Sequence, residues 1–159
     1  MTIFTVSCLI GYLIITTYTI YVMINEKGIP ESISSGVYQF SESKKWVFSL
    51  IMLCVAAMIM PQLLIVSKES TQPLAFAMCV GLMGVGADPL SKDSKNVLHY
   101  VSAAICGLSS QFLIAFNNPI LLLLWAPYVI YTLVWEFSGK NMFIAELIMM
   151  LGIGIMCFF

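Results

Sequence analysis

Long apolar runs alternate with short polar stretches along this chain. A helix needs roughly 20 mostly apolar residues to cross a bilayer, and lysines and carboxylates mark where each run must stop. Six runs result: residues 3–24, 46–66, 73–88, 97–116, 120–135 and 142–159. The first has no basic residue before it and is too long for a signal-peptide core, so a retained helix is expected. The second carries Pro61 and Gln62 near its far end, where neighbouring side chains must serve the backbone groups that proline frees. The third is short, which predicts local bilayer thinning or shelter by neighbours. Only Asn117, Asn118 and Pro119 separate the fourth run from the fifth, so those two helices are expected as antiparallel neighbours, with Pro127 inside the fifth. The predicted fold class is all-α, a polytopic bundle of six transmembrane helices with short loops, forming one domain over residues 1–159.

Composition points the same way, because 60% hydrophobic and 9% charged residues in 159 leave too little polar surface to coat a soluble globule. The chain contains no arginine, which removes the usual bidentate grip on phosphate, so no nucleic-acid partner is expected. Cys8, Cys54, Cys79, Cys106 and Cys157 lie in apolar runs without a C-x-x-C pair and read as small buried hydrophobes. Lys27, Lys44, Lys45, Lys92, Lys95 and Lys140 fall in the first, third and fifth loops, against Lys68 alone on the other side. Basic residues stay on the cytoplasmic side, so these three loops are expected there, with both termini outside an inner or plasma membrane. Tyr21, Trp46, Tyr100 and Trp135 at run ends fit the interfacial aromatic belt.

Chemistry concentrates at one membrane face. Ala77, Gly81, Gly84 and Asp88 recur at helical spacing, and His99, Ser102, Ala103, Cys106 and Ser110 form a matching stripe on the fourth run. Packing of these small faces would turn Asp88 and His99, the single histidine, toward the interior. Glu146 stands about one turn into the sixth run, where an ionisable group costs about 2.5 to 3.5 kcal/mol and normally faces the bundle with a partner. Its reading is either a proton-handling or ligand-orienting carboxylate, or a shallow glutamate that reaches the interface or Lys140. Asp88, His99 and Glu146 are legitimate zinc ligand types but share no short-range motif, so no metal and no cofactor is expected. The Gly81–Gly86 run lacks the order and lysine of a phosphate loop. In the first loop, Glu31, Ser32, Ser34 and Ser35 either cap a short interfacial helix or meet a head group, or belong to a solvated turn.

Pro30, Ser32, Ile33 and Ser34, then Ala87, Asp88 and Pro89, then His99 with Ala103, resemble in order the motifs of the Frag1/DRAM/Sfk1-type six-helix membrane proteins and their bacterial relatives. The resemblance implies a lipid-related role with a polar site at one membrane face. The additional histidines that bind zinc in ceramidase-like hydrolases are missing, which puts metal-dependent lipid hydrolysis in doubt and leaves enzyme status open, leaning against. Three functional readings stand. Asp88, His99, Glu146, Ser32, Ser34 and Glu31 bind a lipid head group or small amphiphile. Alternatively, an oligomeric channel or proton-coupled transporter uses Glu146, with Gln111, Asn117 and Asn118 at its outer mouth. Finally, the glycine faces serve a structural subunit that packs on copies of itself or on other membrane proteins. The first is preferred because polar residues gather at one face, whereas a conducting path carries polar groups or a hydrophobic gate along its length.

Overall fold

The computed structural model describes residues 2–26, 28–90, 97–134 and 141–159. Helices α1 (Ile3–Glu26), α2 (Lys45–Val66), α3 (Gln72–Ala87), α4 (Val97–Asn117), α5 (Ala126–Val134) and α6 (Asn141–Phe158) follow one another, with no strand among the described residues. Five helical stretches are long and apolar enough to cross a membrane, and Pro119–Leu133 is a shorter apolar one. The lysines 27, 92, 95 and 140, and Trp135, lie outside the described residues.

Two predicted elements change form. A 3-10 turn, Glu69–Thr71, leads directly into α3, so the third run reaches 19 residues and is less short than its apolar stretch suggests. The fifth run is not one helix broken by an internal proline. Pro119–Trp125 winds as a 3-10 helix, and α5 begins at Ala126, which places Pro127 in its first turn. A proline costs little there, because first-turn N–H groups have no intrahelical acceptor anyway.

Pro61 stays inside α2 and withholds the N–H that would serve the Ala57 carbonyl one turn earlier. Neighbouring helices place polar groups around it, on the Met58 carbonyl and the Gln62 side chain. Ser7 Oγ on α1 donates to Met58 O at 3.2 Å, while buried Gln62 donates through Nε2 to Cys157 O at 3.0 Å and accepts from Thr5 Oγ1 at 3.3 Å.

Successive helices α1 to α4 pack side by side, and α6 closes against α4, α1 and α2. The tightest seam joins α3 to α4. A Cβ on Gly81 would stand 2.6 Å from Cys106 N and 2.8 Å from Ser102 O, so backbone meets backbone there, and a Cβ on Gly84 would overlap the Ser102 side chain. The paired small stripes therefore meet at Gly81, Gly84, Ser102 and Cys106, as their spacing predicted. Ala103 departs from that expectation and is exposed, since it lies one residue round the helix from buried Ser102. Phe48, Met52, Leu63, Leu113, Ile114 and Phe143 fill the interior. Among its described residues α5 buries none, and it lies on the outside against α6.

Gly81→Ala must push two backbones apart and is expected to lower stability by about 2 kcal/mol or more. Gly107→Ala, where an added Cβ meets nothing within 4 Å, is expected to be neutral or stabilising by up to about 1 kcal/mol. Thermal unfolding of the two variants in detergent separates them.

Candidate functional site

Between Gly28 and Ser41 the first loop carries one charged side chain, Glu31, and many small residues, and this stretch folds back onto the bundle. Pro30, Ile33, Gly36 and Val37 are buried, which excludes the solvated turn. Ser32 organises the bend: its Oγ accepts the Ser35 N–H at 3.0 Å, and its carbonyl accepts Ser35 Oγ at 2.7 Å. A 3-10 helix, Ser34–Gln39, follows. Gly36 lets this helix lie on α1, because a Cβ there would stand 2.5 Å from the Tyr18 hydroxyl and overlap the Val22 side chain.

The folded-back segment reaches the starts of α4 and α6. Ile33 N–H donates to Glu146 Oε2 at 2.6 Å, a bond strengthened by charge whenever the carboxylate is ionised. The Glu31 carbonyl accepts the Phe143 N–H at 3.1 Å, satisfying one of the first-turn donors that α6 cannot serve itself. On the other flank, Ser34 Oγ and His99 Nε2 are 3.2 Å apart, and Ser32 Oγ is 3.1 Å from Ser34 Oγ. Which partner donates depends on the imidazole tautomer and the rotatable hydroxyls.

Four residues singled out from the sequence are thus brought together: Ser32, Ser34, His99 and Glu146, joined through the backbone of Ile33. Two are not. The Glu31 side chain is exposed, and its residue contributes through the carbonyl instead. Asp88 is half-buried at the end of α3, where its N–H bonds to Gly84 O, and among the described residues no hydrogen bond joins it to His99 or Glu146. Lys140, the alternative partner for Glu146, is outside the described residues. No group of three His, Cys, Asp or Glu side chains stands close enough to hold a metal ion among the described residues.

Tyr18 has no signal in the sequence beyond being one aromatic in an apolar helix. Its hydroxyl is buried without a hydrogen-bond partner among the described residues, against Gly36 and within electrostatic range of Glu146. Its ring borders an open apolar groove of about 550 Å³ that also involves Ile10, Leu13, Ile14, Tyr21 and Phe40. The main-chain groups of Glu31 and Ile33 were equally invisible, since every residue has them.

At the opposite end, Gln111 Oε1 accepts the Trp125 indole N–H at 2.8 Å, holding the 3-10 helix to α4. Asn117 donates to Thr71 Oγ1 at 2.9 Å and Leu113 O at 2.8 Å, and accepts the Lys68 N–H at 2.8 Å. Asn117 and Asn118 border a second groove of about 450 Å³ with Gln62, Lys68 and Cys157.

The fold and this arrangement define a helical membrane protein with a polar site capped by a folded-back loop. Compared with known proteins, the chain matches no family model, no curated protein and no solved structure.

Glu146→Ala leaves the Ile33 N–H without its acceptor, at an expected cost of about 1–3 kcal/mol. Amide hydrogen exchange across residues 31–36 should accelerate in this variant and much less in Glu146→Gln, which retains an acceptor oxygen. Equal exchange in the two variants would show that the bond does not hold the loop.

Proposed function

We propose that Ser34, His99 and Glu146, with Ser32 behind them, bind the head group of a membrane lipid or small amphiphile beneath the first loop. The observation that carries this reading is the 3.2 Å contact of Ser34 with a half-buried His99, beside the Ile33–Glu146 bond at the same end of the bundle. One carboxylate, one imidazole and two hydroxyls, with no arginine in the chain, suit a head group bearing hydroxyl or amine donors better than an anionic phosphate. The amphiphile's apolar part runs in the groove along α1, where Tyr18 borders both groove and polar site. Asp88 stands at the rim, on the end of α3. The resemblance of the Pro30–Ser34, Ala87–Pro89 and His99 motifs to Frag1/DRAM/Sfk1-type proteins supports a lipid-related role.

In this reading the chain makes six spans in one unit, with Pro119–Leu133 as the shortest. Lysine placement supports both termini outside and the site on the cytoplasmic side of an inner or plasma membrane. The channel alternative, built on Glu146 with Gln111, Asn117 and Asn118, has weaker support. Gln111 and Asn117 already spend their amides on Trp125 and on the Thr71 turn.

The test uses native mass spectrometry of the protein with a single-chain amphiphile carrying an amino-alcohol head. Ser34→Ala, His99→Ala and Glu146→Gln should each weaken binding about fivefold to tenfold, the equivalent of about 1 kcal/mol per lost hydrogen bond. Unchanged binding in all three overturns the reading. Ion flux in reconstituted vesicles that disappears with Glu146→Gln would replace it with the channel.

A further inference from the structure

A serine hydroxyl is a weak nucleophile until a base within hydrogen-bond reach takes its proton. Several serine hydroxyls of this bundle are spent on main-chain carbonyls: Ser7 on Met58 O, Ser67 on Leu63 O and Ser110 on Gly107 O. Ser34 differs. Its Oγ stands 3.2 Å from Nε2 of His99, the single histidine, which follows 65 residues later in the chain. That separation is within the reach of a nucleophile and its base. Both residues also keep part of their surface open, at the end of the bundle where the first loop folds over.

The backbone around Ser34 is fixed on both sides. Ile33 before it is buried, with its N–H on Glu146, and Gly36 after it lies against Tyr18 and Val22. The base comes from the first turn of α4. A nucleophile and base held on separate anchored elements meet the need for preorganisation. One run of donors fits the distances: Ser35 N–H to Ser32 Oγ at 3.0 Å, Ser32 O–H to Ser34 Oγ at 3.1 Å, and Ser34 O–H to Nε2 of an imidazole that carries its proton on Nδ1. The Glu146 carboxylate on Ile33 and the absence of arginine suit a neutral acyl carbonyl here better than an anionic phosphoryl centre, which the carboxylate would repel.

We propose that Ser34 is a nucleophile with His99 as its general base, and that it passes an acyl group from an ester donor to the hydroxyl or amine of the bound head group. Ser34 Oγ attacks the ester carbonyl carbon, and its proton goes to His99 Nε2 and on to the departing alcohol. The new C–O bond to Ser34 forms as the C–O bond to that alcohol breaks. The head group's hydroxyl or amine then attacks the Ser34 ester, its proton returns through His99 to Ser34 Oγ, and the amphiphile leaves as an ester or amide. The Ser32 hydroxyl can turn from Ser34 Oγ to the carbonyl oxygen as that atom becomes negative. This transfer rests on the head-group reading for its acceptor.

The experiment takes the full chain in detergent and treats separate samples with a neutral alkyl fluorophosphonate and with a p-nitrophenyl fatty-acyl ester. Peptide mass spectrometry should find one adduct per chain, on Ser34, kept in Ser43→Ala and lost in Ser34→Ala. His99→Gln leaves Ser34 a hydrogen-bonding partner but no base, and should slow adduct formation about 100-fold. The single-chain amphiphile with an amino-alcohol head, added to the acylated chain, should discharge Ser34 and appear as an equal amount of acylated amphiphile. An adduct on Ser32 or Ser35 instead, an unchanged rate in His99→Gln, or an acyl-Ser34 that the amphiphile does not discharge overturns the proposal. So does the lack of any adduct on the unmutated chain, a readout that needs no variant to fold. If the amphiphile still binds that chain in native mass spectrometry, the head-group reading survives without the transfer; if it does not, both fall.

Discussion

The approach of α3 to α4 at Gly81 is the constraint on which the rest of the bundle depends. In lipid, helices gain nothing from hiding apolar side chains that the acyl chains would cover equally well. What remains is close packing and polar contact, and both need backbones that come near one another. At Gly81 the α4 backbone occupies the space of a side chain. Gly86 does the same between α3 and α2, where a Cβ would stand 2.6 Å from the Met52 Cβ. With α3 held on both sides, the ends of α2, α3 and α4 are set, and the first loop has a fixed surface to fold onto.

That surface explains the site. A loop folded into a bundle carries N–H and C=O groups away from water, and each must find a partner. Ile33 N–H finds Glu146, and the Glu31 carbonyl finds the first turn of α6. A carboxylate inside an apolar helix and a loop with unserved backbone thus answer one another's cost. The serines complete the arrangement: Ser32 closes the turn and Ser34 meets His99. The bonds that hold the loop down also orient the groups that would face the proposed head group.

The two ends of the protein use polar residues differently. At the far end, Asn117, Thr71 and Gln111 spend their hydrogen bonds on joining turns to helices. At the first-loop end, the bonded groups include a half-buried imidazole and carboxylate with capacity left over. This contrast, together with a buried Tyr18 hydroxyl that makes no hydrogen bond among the described residues, supports placing the proposed head-group ligand at the first-loop end.

Residue order by itself determined the helical class, the positions of most helices and the meeting of the small stripes, because apolar length and the 3.6-residue period are local properties. It also marked Ser32, Ser34, His99 and Glu146 as the polar residues that needed explaining, alongside Asp88 and the Glu31 side chain, which stand apart from them. It misjudged Ala103, which a broad stripe included and a narrower seam left exposed. It also misjudged the fifth run, where Pro127 reads the same whether it interrupts a helix or starts one. Tertiary structure alone decided that the first loop folds inward, that the Ile33 N–H engages Glu146, and that the Glu31 carbonyl serves the first turn of α6. Those outcomes rest on main-chain groups and on pairings across the bundle. Neither leaves a periodic trace in the chain, since a backbone N–H is the same at almost every position and a contact depends on where the partner helix lies.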